Sequence, residues 1–281
     1  MTDHATLYVV ATPLGHLGDL SPRAAEILRS VGIVAAEDTR RTRQLLSHLG
    51  ASPRLISYHA HSDPGRLDTL LAMLADGRDV ALVSDAGTPG ISDPGAALVR
   101  AVWDAGGRVV PIPGPSAVAT ALSAAGFPAD RFLFLGFVPR KGADRQRLLR
   151  VAAESEWTVV LFEAANRVVD LLTDLAAVTA PDRQGAVARE LTKIYEEFRR
   201  GTLPELAAHF STVEPRGEVT VVIEGLIRRD DGRTADELEA GRTLAAGLLA
   251  DGATARDVVR TLMTQLGLPR NVAYRLVMES R

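Results

Sequence analysis

Ser84-Asp85-Ala86-Gly87-Thr88-Pro89-Gly90-Ile91-Ser92-Asp93-Pro94-Gly95 sets two aspartates and three glycines in one stretch after an apolar run. Glycine lets bare backbone amides approach a ligand, and a long ordered loop of this kind carries function more often than a plain turn does. Asp93, directly before Pro94, is expected to cap a helix that starts there; Asp85 has no such local use. A second loop, Thr12-Pro13-Leu14-Gly15-His16-Leu17-Gly18-Asp19, holds two glycines beyond its first turn but lacks the GxGxxG dinucleotide fingerprint. A third, Pro113-Gly114-Pro115-Ser116-Ala117, opens a helix and offers its first amides to a ligand while stiffening a hinge.

Charged clusters supply the other candidate chemistry. Glu37-Asp38-Thr39-Arg40-Arg41-Thr42-Arg43 joins an acidic pair to three arginines at a helix start. Asp38 is suited to cap that helix, and the arginines to grip phosphates. His59-Ala60-His61 puts both imidazoles on one face of an extended segment. No third ligand is adjacent, so a polar wall is expected rather than a metal site. Arg140, Lys141 and Arg145 form a further basic cluster, and Arg189-Glu190-Leu191-Thr192-Lys193 brings the second of only two lysines beside Glu196 and Glu197, with which it is expected to ion-pair.

The elements that must position these residues alternate. Short runs rich in Val, Ile, Leu and Ala at 6–11, 32–36, 54–58, 80–84 and 109–112 are expected strands, and 20–30, 39–49, 64–75 and 94–105 the helices between them. That alternation predicts a mostly parallel sheet flanked by helices, with ligand loops at the carboxyl ends of its strands. Pro111–Pro115 breaks the pattern. A second α/β stretch follows, with strands at 132–136, 158–163, 185–189 and 218–224 and helices at 116–125, 145–153, 167–176 and 203–210. The expected organisation is an N-terminal α/β domain over 1–114, a C-terminal α/β domain over 115–227, a polar linker at 228–232, and a small helical tail over 233–281. The tail's helix–glycine turn–helix resembles a helix-turn-helix, or else caps the second domain.

Composition narrows the classes. The chain has 281 residues, 46% of them hydrophobic, a net charge of −3 and no cysteine. Disulfides, thiolate metal sites and cysteine nucleophiles are therefore excluded. The N-terminus shows no basic segment followed by an apolar run, and no apolar run nears the ~20 residues of a membrane span, so a cytoplasmic location is expected.

Together Thr12–Gly15, Ala36–Arg40, Ser57–His59, Val83–Gly95, Pro113–Ser116, Phe134–Phe137, Arg189–Lys193 and Gly217–Gly225 resemble, in order and spacing over nearly the whole chain, the bacterial 16S ribosomal RNA cytidine 2′-O-methyltransferases. These belong to the tetrapyrrole methylase superfamily. The resemblance implies a two-domain class III methyltransferase fold with S-adenosylmethionine in the cleft between domains, a helical tail, a homodimer, and a small-subunit rRNA substrate near the decoding centre. It departs at His16, where Asn is usual, at Ala60 and Ser62, at Ala164-Ala165-Asn166 in place of Ser-Pro-His, and at Tyr195, where His is common. The nearest alternative within enzymes is a methylase of a tetrapyrrole; outside them, a non-catalytic RNA-binding module.

By resemblance, Asp85 and the amides near Gly87 and Thr88 hold the cofactor, Ser116 and Ala117 meet it from the hinge, and Pro13 and Leu14 close the floor. Backbone near Gly136, Arg189, Glu218 and Thr220 completes the site from the second domain. Asp38, Glu163 and His59 are the candidate bases, since a ribose hydroxyl is a poor acid. Lys193 is expected to steady developing negative charge. Arg40, Arg41, Arg43, Arg140, Lys141 and Arg145 are expected to bind RNA phosphates. No metal is expected.

Overall fold

A computed structural model describes residues 5–59, 62–213, 217–226 and 235–280. His61 of the histidine pair and the expected linker at 228–232 lie outside the described residues. The chain divides into two compact units, Met1–Gly225 and Leu226–Arg281.

In the first unit, β1 (Thr6–Val10), β2 (Ile33–Ala36), β3 (Arg54–Ser57), β4 (Val80–Val83) and β5 (Arg108–Ile112) make a five-stranded sheet in the order β3-β2-β4-β1-β5, all pairs parallel. Successive side chains leave opposite faces of a strand. Leu7, Ile33, Ala35, Ile56 and Leu82 fall in one buried cluster, and Val10, Val34, Ala36, Ala81 and Val83 in another. Because both faces are covered, the inner strands β2 and β4 are apolar at every position rather than at alternate ones. Pro111, which cannot donate to a ladder, sits on the edge strand opposite Val9.

Local signals start the helices where they are needed. Ser21 caps α1 (Pro22–Ser30) ahead of a proline, Asp38 caps α2 (Thr39–His48), and Asp63 caps α3 (Pro64–Ala75). Next come α4 (Ala96–Asp104) and α5 (Ala117–Ala125), whose cap is Ser116. A Cβ at Gly114 would stand 2.9 Å from that of Ala11, so only glycine lets the chain cross the end of β1 on its way to α5.

Helix α5 lays Val118, Ala121, Leu122 and Ala125 on one face of a second sheet, against Val160, Ala186, Ala188 and Val222. That sheet runs β6 (Phe132–Phe137), β7 (Thr158–Ala164), β10 (Glu218–Ile223), β8 (Gln184–Arg189), β9 (Glu197–Thr202); β6 and β7 are parallel and the other pairs antiparallel. Its other face packs α6 (Ala143–Glu154), α7 (Val168–Val178) and α8 (Leu203–Thr212) through Leu149, Leu171, Leu172, Leu175, Leu206 and Phe210. Each such leucine, fully buried, contributes about 1.5–3 kcal/mol. Strand β9 is not foreseen in the sequence: Glu-Phe-Arg-Arg-Gly-Thr is charged because it lies on an edge and is held by backbone pairing to β8.

The second unit is three helices, α9 (Ala235–Ala250), α10 (Ala255–Gln265) and α11 (Arg270–Glu279), around Leu238, Ala245, Val258, Leu262, Leu268 and Leu276. Thr254 caps α10. The unit has its own core, which accounts for the apolar periodicity of the tail. No helix among the described residues is long and apolar enough to cross a membrane.

Candidate functional site

The strand order decides which loops meet. Strand β4 lies between β2 and β1, so the loop after β4 emerges between the loops after those two strands. The chain leaves β1 toward β2 on one side and β4 toward β5 on the other, and such a reversal of strand order is where open α/β folds form ligand crevices. Thr12 N–H donates to Gly87 O at 2.8 Å and Gly87 N–H to Thr12 O at 3.0 Å, clamping the β4 loop to the β1 loop. Gly87 takes φ +82°, a conformation that an L side chain resists. The Thr88 hydroxyl donates to Pro115 O at 3.1 Å, tying the same loop to the start of α5. On the other side, the Asp85 carboxylate accepts from Asp38 N–H at 2.9 Å, and the Glu37 carboxylate accepts from Asp85 N–H.

These loops, with β7 and β10 of the second sheet, surround a cavity of about 500 Å³. Leu14, Gly87, Thr88, Ser116, Ala117 and Phe137 line part of it. Its charged lining is Glu37, Asp85, Asp93, Glu163 and Glu218 against Arg41. Burial raises the Glu37 carboxyl above its ordinary range, Asp85 adds repulsion, and the Asp85 N–H, Arg41 and His59 oppose both. Burial also pushes Asp93 up to about 6, against a hydrogen bond from the Ser84 hydroxyl, with Glu37, Asp85 and Glu218 adding like charge. A cavity with this excess of carboxylates favours a cationic ligand.

Asp93 departs from its expected role. Helix α4 starts at Ala96, capped by Gly95 at φ +141° with no side-chain bond, and Asp93 is left in the cavity wall. Ser92 beside it is one of three non-glycine residues with positive φ among those described, with Glu190 and Thr192. Such backbone costs about 1–3 kcal/mol each and gathers at functional sites.

Glu163 is 1% exposed. Its Oε1 accepts from Ala164 N–H at 2.8 Å and from the Arg167 guanidinium. Arg167 also donates to Val138 O at 3.0 Å. The Glu163 Oε2 is buried without a hydrogen-bond partner, in the wall of the cavity. A buried carboxylate oxygen left unpaired costs about 1–3 kcal/mol or more, and a ligand donor would satisfy it.

Lys193 stands on the β8–β9 turn. Its ammonium donates to Glu190 at 2.9 Å and lies 3.7 Å from Glu218, not on Glu196 or Glu197 as the sequence suggested. Glu196 instead accepts from Thr192 N–H, and Glu197 from Arg189. The same turn reaches the β1 loop, where His16 N–H donates to Thr192 Oγ1 at 3.0 Å.

Of the expected cofactor residues, Leu14, Asp85, Gly87, Thr88, Ser116, Ala117, Glu218 and Thr220 line the cavity. Pro13 lines a neighbouring one, while Gly136 and Arg189 border neither. Among the candidate bases only Glu163 lines it. Asp38 caps α2 and is gripped in a fork by Arg40, which, with the Arg40 N–H, holds its carboxyl at about 2. His59 N–H donates to Ser62 Oγ at 2.7 Å. Arg40, Arg41, Arg43, Arg140 and Lys141 are exposed. Arg145 is not: its side chain is 11% exposed and donates to Asp174 at 2.7 and 2.9 Å and to Pro139 O at 3.1 Å. So engaged, it braces α6 against α7. Sequence reasoning missed Glu37 and Asp93 as cavity residues; the signal for Glu37 is its place just past the carboxyl end of β2, and for Asp93 its place in the glycine-rich loop after β4. Among the described residues, no group of three His, Asp or Glu is placed to hold a metal ion.

Comparison with known proteins matches residues 6–207 to the family model of tetrapyrrole (corrin/porphyrin) methylases. A Synechocystis protein named ribosomal RNA small subunit methyltransferase I is 46% identical over 97% of this chain and 97% of its own. One of the same name from Escherichia coli O157:H7 is 41% identical over 98% and 95%. Among solved structures, a cobalt precorrin-4 methyltransferase superposes with a TM-score of 0.61 at 18% identity, covering 79% of this chain and 95% of that one. The uroporphyrin-III-C-methyltransferase of Thermus thermophilus gives 0.57 at 21%, covering 78% and 94%. These two likenesses are of fold.

Proposed function

The chain belongs to the tetrapyrrole methylase family, and on that premise we propose that it transfers the methyl group of S-adenosylmethionine to the ribose 2′ oxygen of a cytidine in 16S rRNA. The observation that carries this reading is the end-to-end likeness, 46% over 97% of each chain, to a protein named for the ribosomal RNA of the small subunit. A homodimer in the cytoplasm, and two α/β domains meeting near Gly114, belong to the same reading.

The larger cavity fits that cofactor chemically. Its volume of about 500 Å³ suits one nucleoside-bearing ligand. The carboxylates of Glu37, Asp85 and Asp93 suit a ligand that is cationic at both its sulfonium and its amino group. When bound, S-adenosylmethionine supplies an electrophilic methyl group. Asp85, the amides at Gly87 and Thr88, and Ser116 and Ala117 hold it from the first sheet; Glu218 and Thr220 hold it from β10. Leu14, Phe137 and Phe162 form the apolar side of the cavity.

Transfer is an in-line displacement in which a carbon–sulfur bond breaks as the carbon–oxygen bond forms. The ribose hydroxyl gives up its proton late. Glu163 is the preferred acceptor, since its Oε2 is buried, unpaired and in the cavity wall. Asp38 and His59 do not line the cavity, and Arg40 also engages the Asp38 carboxylate. Lys193, beside Glu218, steadies the negative charge that develops on the oxygen or on a nearby phosphate. Exposed Arg40, Arg41, Arg43, Arg140 and Lys141 meet RNA phosphates.

The test is transfer of tritium from labelled S-adenosylmethionine to isolated small subunits, to naked rRNA and to a tetrapyrrole, with the labelled nucleoside identified after digestion. Label in a 2′-O-methylcytidine supports the reading. Label in another nucleoside, in the tetrapyrrole alone, or in none of the three overturns it.

A further inference from the structure

A second cavity, about 390 Å³, lies between the β1 loop and helix α2. Pro13, Gly15 and Leu17 line one side and Thr42, Gln44 and Leu45 the other. Arg41 and Asp85 line this cavity and the larger one alike, so the two spaces adjoin through that pair. Arg41, Gln44 and Leu45 follow the i, i+3, i+4 spacing that puts side chains on one face of a helix.

The pair at the junction is not closed on itself. Asp85 Oδ1 accepts from Asp38 N–H at 2.9 Å, but Oδ2 stands 3.7 Å from Arg41 Nε, beyond hydrogen-bond length. An acceptor and a guanidinium fork are thus presented together where the linings of the two spaces overlap. The larger cavity has room for one nucleoside-bearing ligand, yet methyl transfer brings two ligands to about 3–3.5 Å between reacting atoms. The acceptor therefore needs a place beside the larger cavity. The smaller cavity shares Arg41 and Asp85 with it, and its mixed lining matches a nucleotide. Pro13, Leu17 and Leu45 offer apolar faces to a flat base, Thr42 and Gln44 offer donors and acceptors to its edge, and Arg41 a fork for phosphate.

We propose that the smaller cavity is the subsite for the target nucleotide of the RNA. The base enters between Leu17 and Leu45, the ribose turns its hydroxyl past Asp85 toward the larger cavity, and Arg41 grips the adjoining phosphate. This rests on the methyl-transfer reading above.

Gln44→Trp fills the smaller cavity from an exposed helix position, and Ser47→Trp, exposed on the same helix and lining neither cavity, controls for bulk. Three quantities are compared: the Kd for S-adenosylmethionine, the Kd of cytidine 5′-monophosphate for protein saturated with S-adenosylhomocysteine, and KM for small subunits. Gln44→Trp is expected to leave the cofactor Kd within twofold, to weaken the nucleotide at least tenfold, and to raise KM at least tenfold. Ser47→Trp is expected to change none of these. Unchanged nucleotide binding in Gln44→Trp, or equal losses in both variants, overturns the subsite. Should the wild type bind S-adenosylmethionine yet label no RNA, the activity reading fails while the nucleotide Kd still decides the cavity.

Discussion

Asp93→Asn tests the electrostatics of the larger cavity directly. The Asp93 carboxyl titrates at 3.8 in an unfolded chain and at about 6 in the fold, burial being the main cause. A folded value above the unfolded one means that the fold holds the proton more tightly. The associated stability is fully present below pH 3.8, is lost as pH rises through about 6, and stays lost above it. At 1.36 kcal/mol per pH unit, the gap bounds the loss at about 3 kcal/mol. Asp93 is only partly buried, so solvent screening reduces this to about 1–2 kcal/mol. Asn cannot ionise, and the variant should therefore unfold roughly 2–8 °C higher than wild type at pH 8 and at nearly the same temperature at pH 4.

A bound cation reverses the balance by stabilising ionised Asp93. Cofactor affinity in the wild type should then rise about tenfold from pH 5 to pH 7.5. Glu37 is also raised, and Asp85, Glu218 and His59 contribute charge to the same field; the single substitution separates the contribution of Asp93 from theirs. Asp93→Asn should bind at pH 7.5 about as weakly as wild type does at pH 5, with a flattened profile. Calorimetric titration with S-adenosylmethionine across pH 5–8 is the assay. A variant that kept the full wild-type slope, or that was no more heat-stable at pH 8, would refute the reasoning.

Glu163→Gln should lower methyl transfer by about 10²–10⁴-fold while the cofactor Kd stays within threefold; retained turnover removes Glu163 as proton acceptor. Arg140→Ala and Lys141→Ala should each reduce the salt dependence of subunit binding, by roughly 0.7–0.9 per charge in a log–log plot, whereas Arg145→Ala should leave that slope alone and cost about 1–3 kcal/mol in denaturant unfolding. Gly87→Ala forces a side chain onto φ +82° with its Cβ 3.4 Å from Leu14; about 1–2 kcal/mol of strain should appear as a lower Tm and a weaker cofactor Kd together.

Much of the fold is legible in the chain itself, for reasons that particular residues make plain. Ile33–Ala36 and Val80–Val83 are apolar without interruption because they lie inside a parallel sheet covered on both faces. Ser21-Pro22, Asp63-Pro64 and Thr202-x-x-Glu205 announce helix starts, and each observed helix begins there. Asp93-Pro94 carries the same signal and misleads. The positive φ of Ser92 and Gly95 turns the chain so that α4 begins later and the carboxylate faces the cavity. Strand β9 is hidden for the opposite reason: an edge strand needs no apolar side chains to be held by its backbone.

The sequence by itself determined most of the segments that become strands and helices, though not β9, and which loops carry glycine and carboxylate, because those patterns express burial and backbone freedom within a few residues. Tertiary structure alone decided that Glu37, Asp85, Asp93 and Glu163 share one cavity and that Arg145 closes on Asp174. Those meetings depend on β4 entering the sheet between β2 and β1, and on β7 and β10 closing over that edge. Strand order is set by long-range packing of many side chains at once, which no local pattern in the chain encodes.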